Sequence, residues 1–135
     1  MNFKKLYLAF TLTIMTSLTL PSFASEEEAV QHLVLPDITS LQEAKEVFAK
    51  TTSELQSKTK LDASELHDIH TITYSHERAI AYFAENLEGE QQVAAQKIAE
   101  VVEFVHIDSE NSRPSETSAH LTEYFVLAEA FRSEI

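Results

Sequence analysis

The chain has 135 residues with one Gly, three Pro and no Cys, and 22 acidic residues against 10 basic ones give a formal net charge of −12. That length fits one domain with a modest core. The lack of Cys excludes disulfides, thiolate metal ligands, a lipid-attachment cysteine, c-type haem attachment and Cys nucleophiles. The acidity disfavours nucleic acid and anionic membranes, because phosphates need Lys and Arg.

Residues 1–24 read as a cleaved secretory signal peptide. Lys4 and Lys5 form a basic start, and residues 6–20 are an apolar run shorter than the roughly 20 residues that span a membrane. Ser22 and Ala24 place small side chains where signal peptidase cuts. The expected destination is the periplasm of a Gram-negative cell, with no membrane association after cleavage. Loss of Lys4 and Lys5 leaves a still more acidic chain, suited to solubility and to metal cations or basic protein partners. Both methionines, Met1 and Met15, leave with the signal. Residues 25–39 read as a flexible acidic tail. It carries Glu26, Glu27 and Glu28, an apolar patch of Val30, Leu33, Val34 and Leu35, and the helix-interrupting Pro36.

Residues 40–135 carry four amphipathic helical patterns. The first opens on the capping box Ser40-Leu41-Gln42-Glu43, and Leu41, Ala44, Phe48, Thr51 and Leu55 recur on one face until the pattern fades near Lys58. The second opens on Asp62-Ala63-Ser64-Glu65 and carries Leu66, Ile69, Thr73, His76, Ile80, Phe83 and Leu87. Gly89 stands where a C′ glycine ends a helix. Ala94, Ile98, Val101 and Val105 mark the third stripe, with Val93 and Val102 beside it. Pro114 fits the first turn of the fourth, whose stripe is Thr117, Leu121, Tyr124, Ala128, Phe131 and Ile135. Four such helices on short connections predict an all-α, antiparallel up-down four-helix bundle. The second choice is a pair of long hairpins that completes its core as a homodimer.

Six histidines are the residues with most chemical potential. Antiparallel connection brings His70, His106 and His120 to one level, roughly 5–10 Å from one end of the bundle at about 1.5 Å per residue. His76 lies deeper and faces the core, His67 points to solvent, and His32 falls in the tail. Imidazoles from adjacent helices can hold Zn²⁺, Cu²⁺ or Ni²⁺, so His70, His106 and His120 are the candidate metal ligands, with Glu54, Asp68, Asp108 and Glu110 as oxygen donors nearby. The opposing reading is ordinary interfacial histidines bonded to carboxylates and water. Handedness separates the two. One helix order makes His70 and His106 face each other with His120 leaning in, and the mirror order points them apart.

Other chemistries find no constellation. Glu103-x-x-His106 is half of a di-iron signature that needs a second inward copy, and haem held by two histidines lacks an aromatic pocket signature. A phosphate loop and a nucleophile elbow are both missing. The expectation is a binding protein rather than an enzyme, or else an interaction module working through its acidic surface.

Behind the signal peptide, Leu41-Gln42-Glu43-Ala44, Ile69-His70-Thr71-Ile72-Thr73-Tyr74 with Glu77 and Ala79, and Val105-His106-Ile107-Asp108-Ser109-Glu110 resemble an uncharacterised family of small periplasmic helical proteins of Gram-negative bacteria. The resemblance covers roughly residues 40–110. It implies a helical fold and a periplasmic setting, and it brings no activity. The family pattern is apolar where this chain has His76, which leaves His70 and His106 as the better pair.

Overall fold

The computed structural model describes residues 35–135. The segment expected to be a signal peptide, His32 and most of the expected acidic tail lie outside the described residues. Among these described residues four helices follow in order: α1 (Leu41–Gln56), α2 (Ala63–Asn86), α3 (Gly89–Glu110) and α4 (Pro114–Arg132). The described residues hold no strand, and none of their helices is long and apolar enough to cross a membrane.

The helix starts obey local chemistry. Ser40 Oγ accepts from the Glu43 amide at 3.1 Å, and Asp62 Oδ1 from the Glu65 amide at 3.0 Å, satisfying N–H groups that have no partner inside the helix. The returning glutamates reach further back than a capping box requires. Glu43 takes the Thr39 amide and hydroxyl, and Glu65 takes the amides of Lys60 and Leu61 at 2.6 and 2.8 Å. The Glu65 contacts hold Leu61 in a left-handed conformation, φ 50°. Pro114 occupies the first turn of α4 as expected. Gly89 departs from expectation. The cap of α2 is Leu87, two residues earlier, and Gly89 is the first residue of α3. Its φ of 59° still calls for glycine, although a Cβ there would meet nothing.

Two residues separate α2 from α3, and three separate α3 from α4. Links that short fold each helix back along its predecessor. Packing runs α1 on α2, α2 on α3 and α3 on α4, with α1 and α4 touching sparingly. The core closes within one chain. Phe48, Phe83 and Phe131 form an edge-to-face trio with centroids 5.2–5.7 Å apart, and Tyr124 and His76 extend it. Ile69, Ile80, Ile98, Val102, Val105 and Leu121 fill the space around these rings.

Two stripes differ from the sequence pattern. In α3 it is Ala95 that is fully buried, Ala94 is only partly covered, and Val93 is 64% exposed. Apolar residues on several sides of α3 leave its phase to be set by packing against α2 and α4. Leu41 is 39% exposed at the start of α1, where Ile38 from the preceding segment packs on the core instead.

Candidate metal centre

His70 and His106 face each other across the α2–α3 seam. Their ring centroids lie 4.7 Å apart at 88°, so the helix order is the one that joins them. Both rings also meet Tyr74 edge-on at 5.0 Å. Glu110, one turn beyond His106, joins them. Among the described residues, His70, His106 and Glu110 each offer a ligand atom within 4.8 Å of the others.

The hydrogen bonds around the rings decide which nitrogens are free. Glu77 Oε1 lies 2.8 Å from His106 Nδ1, and Thr73 Oγ1 lies 3.1 Å from the same nitrogen. The Thr73 hydroxyl already donates to the His70 carbonyl at 2.7 Å. A neutral His106 therefore donates from Nδ1 to Glu77, and its lone pair sits on Nε2. A carboxylate behind a ligating imidazole does the same in metal sites, fixing the tautomer and raising ligand basicity. His70 Nε2 pairs with the Tyr74 hydroxyl at 3.2 Å, and its buried Nδ1 has no partner.

The surroundings of His70 favour its neutral form. Burial lowers its pKa, and the charge of His106 and then of His67 lower it further, while Glu110 and the His106 backbone act the other way. A ring that gives up its proton readily is one a cation can take. Burial raises the pKa of Glu77, and its bond to His106 opposes that shift. An open cleft of about 250 Å³ leads to the group, lined by Ala63, His67, His70, Ser109, Glu110 and Ser112.

His120 does not lean into this site. Its Nδ1 pairs with Asp108 Oδ2 at 2.8 Å and its ring stacks on Phe104 at 5.0 Å. Asp108 follows His106 by two residues, about 200° around α3 at 100° per residue. His120 therefore works on the α3–α4 side of α3, and Glu110 takes the third place expected of it. The remaining oxygen donors are occupied or distant. Asp68 binds Lys58 at 2.7 Å, Asp108 is shared between His120 and Arg113, and Glu54 pairs with Lys50. Glu103 is exposed, as expected for a residue that faces away from the core.

His76 is core filling. It is fully buried, stacks on Phe48 at 5.0 Å, and its Nδ1 meets Thr51 Oγ1 at 2.6 Å. The sequence reading missed Glu77, Thr73 and Tyr74 as partners. The signal was present, since His70, Thr73, Tyr74 and Glu77 recur at helical spacing along one border of α2.

Another cleft, about 650 Å³, lies at the other end of the bundle between the start of α3 and the end of α4. Its walls are mainly apolar and gather no ligand set. The model for a family of unknown function (DUF6746) matches residues 1–133. No curated protein and no solved structure matches the chain. The chain belongs to that family of unknown function.

Proposed function

We propose that this protein binds a divalent transition-metal ion, Zn²⁺ or Cu²⁺, without catalysing a reaction, and does so in the periplasm after loss of its signal peptide. One observation carries the reading. Two imidazoles and a carboxylate from the two helices α2 and α3 converge within 4.8 Å, and a carboxylate braces one imidazole from behind.

The donor set suits borderline cations. Imidazole favours Zn²⁺, Cu²⁺ and Ni²⁺, whereas Ca²⁺ and Mg²⁺ want oxygen alone. Two nitrogens on a tetrahedral Zn²⁺, each about 2.0–2.1 Å from it, stand about 3.4 Å apart. Closing from no more than 4.8 Å needs a movement of at most about 1.4 Å, within reach of half-buried side chains at the mouth of a cleft. The formal charge of −12 favours cation approach at long range. The signal-like residues 1–24 support export, because Lys4, Lys5, the apolar run and Ala24 follow the export pattern.

Calorimetric titration of the purified protein with Zn²⁺ and Cu²⁺ tests the proposal. The expected result is one equivalent bound, lost in the His70→Ala/His106→Ala double variant. Binding of equal affinity in that variant would overturn it.

A further inference from the structure

The three ligands His70, His106 and Glu110 leave one corner of a tetrahedron open. We infer that His67 swings into that corner as a fourth ligand, making a closed site of three imidazoles and one carboxylate that sequesters the metal. The inference rests on the metal-binding reading above.

His67 precedes His70 by one turn of α2 and lines the same cleft as His70 and Glu110. The antiparallel helices set the levels. His67 lies about 4.5 Å nearer the bundle end than His70, and Glu110 about 6 Å nearer that end than His106. The four donors form two rungs across the seam, His70 facing His106 and His67 on the same outer rung as Glu110. His67 is exposed, so its ring can turn about χ1 and χ2 without disturbing the core.

The other donors near the cleft are committed. Asp68 is held by Lys58, Glu77 by His106, and Asp108 by His120. Ser109 donates to the His106 carbonyl at 2.9 Å. Among the imidazoles and carboxylates around the cleft, His67 is thus the donor left to complete the set. A fourth protein ligand also sets the role. A catalytic zinc keeps a position for water or substrate, and a closed set of four does not.

Co²⁺ is the probe, because its visible spectrum distinguishes four-coordinate from higher-coordinate ions. Full-length protein carrying His67→Ala or His70→Ala is titrated with Co²⁺ and then with Zn²⁺ in competition, with circular dichroism as the fold check. The wild type should give the intense visible bands of four-coordinate cobalt. His67→Ala should bind more than about tenfold more weakly, with bands that shift in position and intensity as water replaces the imidazole or raises the coordination number. An unchanged affinity and spectrum in His67→Ala, with binding still lost in His70→Ala, overturns the fourth ligand and leaves the metal site standing. Wild-type protein that binds no Co²⁺ or Zn²⁺, or whose binding survives His70→Ala, overturns both.

Discussion

Acid should destabilise this fold through His76, and His76→Leu should remove that part of the effect. The ring is fully buried, and burial drives its pKa from the ordinary 6.5 down to about 3. The bonding shows why. The Thr51 hydroxyl sits 2.7 Å from the Val47 carbonyl and donates there, so His76 Nδ1–H donates to Thr51 Oγ1. That leaves Nε2 without a partner against the rings of Phe48 and Tyr124. A second proton would create a buried cation with no acceptor. The unfolded chain takes that proton below pH 6.5 and the folded one only near pH 3, so stability rises with pH between those limits. From pH 7 to 4.5 the loss from this one ring is about 2.5 kcal/mol, at about 1.4 kcal/mol per pH unit. Against a total of about 5–15 kcal/mol that is a large share. Urea unfolding followed by circular dichroism at both pH values measures it. With a slope of about 1–1.5 kcal/mol per M, the wild-type midpoint should fall about 2 M further than that of His76→Leu. Leu fills a similar volume, and Thr51 keeps its bond to Val47. His70, whose pKa is also lowered, contributes equally in both proteins and cancels. Parallel pH dependence in the two proteins would refute the argument.

Glu77→Gln keeps the shape behind His106 but loses the charge. Zn²⁺ affinity should drop about 10–100-fold with stability nearly unchanged, and an unaltered calorimetric affinity would show that the carboxylate does not brace the ligand. Tyr124→Phe removes the buried bond between Tyr124 Oη and Thr52 Oγ1, 2.5 Å long. Thr52 still donates to the Phe48 carbonyl, so only its acceptor side is orphaned and the cost should be about 1–2 kcal/mol in urea unfolding. Gly89→Ala should cost about 1–2 kcal/mol in the same assay, because φ is 59° while space is free. A stabilised Gly89→Ala protein would contradict that account.

The parts of this protein that depend on neighbours in sequence were legible. Ser40 and Asp62 cap as their spacing predicts, and the α2 stripe from Leu66 to Phe83 is buried at every predicted position. The α3 stripe was off by one residue at its start. Val93, Ala94 and Ala95 are adjacent apolar residues, and nothing local chooses among them. The site was half legible. The shared level of His70 and His106 follows from antiparallel connection, but their facing follows from the order of helices around the bundle, a property of the whole chain. His120 has the right height and the wrong angle, because its partner Asp108 lies about 200° around α3 from His106.

His70 and His76 show how one residue type on one helix divides into two roles. They are six residues apart, about 9 Å along the axis and about 120° around it. That rotation carries His76 into the centre, where aromatic rings surround it and a proton or an ion finds no companion for its charge. The same rotation leaves His70 on the seam, beside an open cleft and within reach of Glu110 and His106. Desolvation lowers the pKa of both rings, so a lowered pKa alone does not separate a packing histidine from a ligand. The separating feature is a route for the cation together with anionic oxygen to meet it. His70 has both, and His76 has neither.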